Sequence, residues 1–122
     1  MRSKTTIILF LVLLIIGLVV FLFIDKIPPD ALTRTNMVGI EQRIRKYVED
    51  NGKLPLSLSQ LQKRPGYDNS IKDGWGNTII YYYKGSTVFL VSYGKDGKIG
   101  GEDENADISV HFTLKTRLSP PA

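Results

Sequence analysis

From Ile7 to Ile24 the chain reads IILFLVLLIIGLVVFLFI, 18 residues without a charge. As a helix this run spans about 27 Å, nearly the depth of a bilayer's hydrocarbon core. The reading is therefore a transmembrane helix over 7–24, preceded by a short n-region over 1–6. A removed secretory signal competes with it. Such signals carry an apolar stretch of about 7–15 residues and end at small residues. Here Asp25, Lys26, Ile27, Pro28 and Pro29 follow instead, so an uncut anchor is expected. Arg2 and Lys4 place the n-region in the cytoplasm and everything after Asp25 on the far side, with Lys26 in weak opposition. The two prolines make 25–29 a linker at which the first helix stops.

Of the 122 residues, roughly 90 remain for a soluble fold, enough for one modest core. The net charge of +4 is uninformative about partners. From Asp30 onward 13 basic residues face 11 acidic ones, too even a balance to argue for nucleic acid or for a strongly basic surface patch. The absence of cysteine excludes disulfides, thiolate metal sites and cysteine nucleophiles. A domain this small then gains from another staple, such as a structural ion.

The domain is expected over 30–118, with a flexible tail at Ser119 to Ala122. Met37, Ile40, Ile44, Tyr47 and Val48 recur at helical spacing, while Arg43, Arg45, Lys46 and Glu49 take the other faces. This predicts an amphipathic helix from Asp30 to Asp50, capped by Asn51-Gly52 and stopped by Pro55. Ser57 and Gln60 have capping-box spacing and predict a second, two-turn helix from Leu58 to Lys63. Tyr67 to Asn77 reads as loop, with Trp75 plugging the core edge. Thr78 to Tyr83 and Thr87 to Tyr93, separated by Lys84-Gly85-Ser86, predict a hairpin. Ile108 to Leu114 alternates as a half-buried strand. An amphipathic helix on about three antiparallel strands gives an α+β fold.

Asp96 to Asp107 reads DGKIGGEDENAD and sets five carboxylates against Lys98. These charges repel unless a cation joins them. Calcium accepts six to eight oxygens in flexible geometry, which a glycine-rich loop supplies more readily than magnesium's octahedron. Lys98 and Gly100 stand where an EF-hand requires oxygen ligands, so that motif is excluded. On these residues alone, a solvated loop without an ion remains an equal alternative.

The order of YVEDNGKLP, DGWGN, an aromatic hairpin and SYGKDGKIGGEDENADI resembles the major pseudopilin of type II secretion systems over about Thr33 to Ile108. Asp50, Asn51, Gly52 and Pro55 correspond to that family's D-N-G-x-x-P element. Asp73, Trp75, Gly76 and Asn77 correspond to its D-P-W-G-N element, with Gly74 in place of the proline. The resemblance implies an anchor in the bacterial inner membrane, a periplasmic domain with a calcium loop before the last strand, and assembly with other pseudopilin-like subunits or secretion-apparatus proteins. It implies Asp96 and Asp107 as side-chain ligands of Ca2+ and the Tyr93 carbonyl as a further donor, with Glu102, Asp103 and Asn105 ranked below. At the head the family has a glycine for the prepilin peptidase, then a phenylalanine and, four residues on, a glutamate. Here Phe10 follows Leu9, and Met1 to Ile24 contains no acidic residue. That departure keeps open a second reading, a stand-alone membrane-tethered calcium-binding module that does not polymerise.

No nucleophile and base occur together, so an enzyme, a catalytic site and a small-molecule substrate are not expected. His111 falls on the polar side of its strand. Tyr81 and Tyr83 share one strand face and Tyr82 takes the other, as packing requires. Gly94 to Gly101 follows no nucleotide-binding pattern and leads into no helix.

Overall fold

The computed structural model describes residues 3–24, 26–115 and 118. The expected tail over 119–122, with Arg2 and Asp25, lies outside the described residues. Helix α1 covers Lys4–Phe23, 20 residues, none buried within the protein. It starts ahead of the apolar run because Ser3 caps it, its hydroxyl accepting the Thr6 N–H at 3.3 Å. By length and composition α1 is the one helix among the described residues able to cross a membrane.

Helix α2 runs Pro29–Asn51. Proline suits the first helical position, where no N–H is needed, and Asp30 in the first turn faces the positive end of the helix dipole. The stop is the expected one. Gly52 takes a left-handed φ of 71°, and its N–H reaches Val48 O at 2.7 Å. Met37, Ile40, Ile44 and Val48 are buried, and Tyr47 packs beside them. Arg43 corrects the expectation for the polar faces, since it is buried too. Its Nε donates to Gln62 O (3.0 Å), Nη1 to Asn69 O (3.2 Å) and Nη2 to Leu61 O (3.2 Å). Three carbonyls replace its lost water and tie the following segment to the helix.

The expected two-turn helix is shorter, one 3-10 turn over Leu58–Gln60. Gln60 Oε1 accepts the Leu56 N–H at 2.8 Å, and Ser57 bonds Ser59 instead of capping. The chain leaves the turn at Leu61 (φ −70°, ψ 136°), whose carbonyl, with that of Gln62, faces Arg43.

Strands β1 (Ile80–Lys84), β2 (Thr87–Ser92) and β3 (Ile108–Thr113) form an antiparallel sheet in the order β1-β2-β3. Thr78 and Ile79, expected in β1, pair with the preceding loop through Lys72 and Ile71. Lys84 lies opposite Thr87, so Gly85-Ser86 alone makes the turn. On one face Tyr83, Val88 and Phe112 align, then Tyr81, Leu90 and Val110, and these rows meet α2. On the other face Tyr82 stacks on Phe89 at 4.8 Å, with His111 beyond it. Strand alternation thus sorts the three tyrosines as expected. Leu54, Leu58, Leu61 and Ile79 close the core, against which Trp75 packs half-buried.

Gly74 stands where the resemblance expects a proline, and the local packing suits glycine. A Cβ there would overlap the Pro29 carbonyl, and the Gly74 N–H donates to Thr33 Oγ1 at 2.8 Å. Thr33 in turn donates to Pro29 O at 2.7 Å. Proline would add bulk and delete that donor. Gly74→Ala should lower stability by about 1–3 kcal/mol, and Gly74→Pro by more, in thermal or denaturant unfolding of the full chain in detergent. Unchanged stability for both would show that the contact with the first turn of α2 does not form.

Candidate functional site

The DGWGN segment folds around one carboxylate. Asp73 is 5% exposed. Its Oδ1 accepts the N–H groups of Trp75 (3.0 Å) and Asn77 (2.9 Å), and its Oδ2 accepts the Ser92 hydroxyl (2.7 Å). The Asp73 N–H donates to Asn77 O (2.8 Å), closing the turn from the other side. The aspartate at the head of this segment is an acceptor for its own downstream backbone, an Asx-type turn that the sequence hints at. Its reach to Ser92 at the end of β2 is the part that sequence reading missed. Gly74 carries the assembly onward to α2 through Thr33.

This cluster fixes where the acidic loop begins. Ser92 Oγ accepts the Gly94 N–H at 3.2 Å, and Asn77 Nδ2 donates to Gly94 O at 3.5 Å. Gly94 has φ +74°, and a Cβ on it would meet the backbone of Glu104 to Ala106. Only glycine allows the two ends of the loop to approach this closely. Lys95 N–H donates to Glu104 O at 2.9 Å, completing a neck from which 96–103 projects.

The structure brings some of the expected ligands together. Asp96, Glu102, Asp103 and Asn105 line an open depression of about 650 Å3, shared with Lys95 and Glu104. Lys95 Nζ and Glu104 Oε2 are 3.2 Å apart, an exposed pair that offsets part of the charge. Asp96 Oδ1 accepts the Lys98 N–H at 3.0 Å. Asp107 lies outside this lining, and both its oxygens accept the Gly100 N–H, at 3.0 and 3.1 Å. Tyr93 is half-buried just before the neck. Among the described residues no group of three carboxylate or imidazole side chains converges on one point.

These donors fit a hard cation by chemistry. All are oxygens, and neither Asp96 nor Asp107 forms an ion pair among the described residues. A carboxylate that accepts one backbone N–H keeps further lone pairs for an ion. Asp96 and Asp107 thus each accept a backbone N–H of their own loop and retain further acceptor capacity.

Residues 29–111 match the family described as type II secretion system (T2SS), protein G. The chain is also similar to the type II secretion system core protein G of Xanthomonas campestris pv. campestris, 32% identical over 89 residues. That alignment takes in 63% of this chain and 62% of the relative's length.

If the Asp73 carboxylate holds β2 in place, Asp73→Ala should cost about 2–4 kcal/mol and Ser92→Ala about 1 kcal/mol. The double variant should fall short of their sum by at least about 0.5 kcal/mol. A double-mutant cycle in chemical denaturation measures that coupling, and strict additivity would detach Ser92 from the carboxylate.

Proposed function

The chain belongs to the type II secretion system protein G family, and from that premise we propose that it is a structural pseudopilin-like subunit of a secretion or pilus-related envelope assembly. The carrying observation is that the family match spans all of α2 and the hairpin and the first four of the six residues of β3, behind an apolar helix of 20 residues. Nothing in this role requires catalysis. The apolar helix would anchor the chain in the inner membrane by a single pass, with the n-region in the cytoplasm and the domain in the periplasm. The asymmetry of Arg2 and Lys4 supports that orientation.

In the same reading the acidic loop binds Ca2+. Asp96 and Asp107 would supply side-chain oxygens and Tyr93 a carbonyl, with Glu102, Asp103 and Asn105 as further candidates. A bound divalent ion relieves the repulsion among the loop's carboxylates. The protein's part is to present the loop from a fixed neck. Gly94, Asn77 and Ser92 hold one end, while Asp107 runs directly into β3.

A second reading, the stand-alone tether, is favoured by one observation: α1 contains no acidic residue. The two differ at the N-terminus. Intact-mass spectrometry of the membrane-extracted protein should return a trimmed, N-methylated start if it enters a fibre. An intact Met1 would favour the tether.

The calcium reading predicts a melting shift. Binding to the folded state alone, at free calcium about a hundredfold above Kd, contributes about 2.7 kcal/mol. For a domain of this size that raises Tm by roughly 10–20 °C. Full-length protein in detergent should show the difference between calcium and chelator, and Asp96→Ala with Asp107→Ala should abolish it. Identical melts of the parent protein in both conditions would remove the ion from the account.

A further inference from the structure

One apolar side chain of the domain is as open as the apolar helix itself. Ile99, at the tip of the acidic loop, is 79% exposed, and the large apolar residues of α1 are 45–79% exposed. A lone exposed apolar residue is ordinary. The mounting of this one is not. The Lys98 N–H donates to Asp96 Oδ1 at 3.0 Å, and the Gly100 N–H to both oxygens of Asp107. Carboxylates thus hold both neighbours of Ile99 while its own side chain stands in the open. Gly100 and Gly101 follow with φ of 85° and 95°, conformations that let the chain double back behind it. No carboxylate occurs between Asp96 and Glu102, and Lys98 forms no ion pair among the described residues. The depression lined by Asp96, Glu102, Asp103 and Glu104 does not include the tip. Lys98 to Gly101 is therefore a cationic and apolar tip on an otherwise acidic loop.

The loop lies at the end of the domain that the apolar helix enters. Arg45, in the second half of α2, stands over the Phe112 ring at 4.8 Å, and Phe112 pairs with Val88 near the start of β2. Ser92, at the end of β2, reaches Asp73, whose neighbour Gly74 donates to Thr33. Thr33 and Arg45 are about 18 Å apart along the axis of α2. Strand β2 therefore runs toward the first turn of α2, and the chain leaving it carries the loop to that end. From Ile24, the last of the apolar run, to Pro29 is at most about 18 Å of chain. A bilayer around α1 is held within that reach of the loop's end of the domain. Lys26 and Ile27 in the linker, both exposed, repeat the Lys98-Ile99 sequence.

We propose that the Lys98-Ile99 tip rests on the same bilayer that holds α1, with Ile99 at the boundary of headgroups and acyl chains and the Lys98 ammonium among lipid phosphates. This rests on the anchor reading and adds a second point of membrane attachment. A lysine stem lies along apolar surface while its charge stays with water and phosphate, so an apolar wedge beside such a cation suits the interface. The extended backbone at Ile24 and Pro28 leaves the tilt of the domain unset, and the tip would set it.

The chain has no cysteine, so single nitroxide labels report cleanly. Full-length protein is reconstituted, with calcium throughout, in vesicles of phosphatidylethanolamine and phosphatidylglycerol. Collisions of the label with oxygen, which concentrates in lipid, are compared with collisions with a water-soluble nickel chelate. A label at Ile99→Cys should favour oxygen over nickel about fivefold more than one at Lys84→Cys, at the other end of the sheet. Leu14→Cys, within α1, supplies the lipid value. Lys98→Glu should return the label at 99 to the ratio found at 84. Equal ratios at 99 and 84 beside a lipid ratio at 14, or a ratio at 99 indifferent to Lys98→Glu, overturn the contact and leave the anchor standing. A ratio at 14 equal to that at 84 overturns the contact and the anchor together.

Discussion

The domain depends on a buried carboxylate that forms no ion pair among the described residues. Asp73 satisfies its two oxygens with two backbone N–H groups of its own turn and one hydroxyl from β2. Removing such a charge from water is costly unless every lone pair is used well. The arrangement therefore selects one geometry for the turn and one for the end of β2. Trp75 is aimed at the core by the same turn. Both the helix contact at Thr33 and the neck of the acidic loop are set by it.

Elements governed by local chemistry were legible in the sequence. The stop of α2 is written in Asn51, Gly52 and Pro55, and the alternation from Ile108 onward gives a strand whose faces are those expected. Where a residue's role is set by a distant partner, pattern reading failed. Arg43 scores as a surface residue because periodicity weighs hydrophobicity alone, yet carbonyls 18 to 26 positions away draw it inside. The 3-10 turn at Leu58–Gln60 falls short of two helical turns for the related reason that the carbonyls beyond it face Arg43. Motif spacing identified Ser57 and Gln60 as a cap, but Gln60 serves the backbone one residue earlier, at Leu56.

The candidate site was legible as a composition and not as a geometry. Counting carboxylates between Asp96 and Asp107 treats them as one cluster. The folded loop divides them, with Glu104 paired to Lys95, Asp107 turned onto Gly100, and Asp96 beside Glu102 and Asp103. The even tally of charges likewise hid that Arg43, Lys46, Lys63 and Arg64 line one cavity, because they lie in segments that meet only when the loop after the 3-10 turn docks on α2.

The gap between the two helices has a mechanical consequence. Ile24 and Pro28 are extended, so α1 and α2 do not form one rigid rod. A pull on the apolar helix enters the domain at Pro29. Pro29 is where Thr33 and Gly74 fasten the first turn to the Asp73 cluster. The point where the chain enters the domain is thus cross-linked at once, through Thr33 and Gly74, to the Asp73 cluster and so to the end of β2.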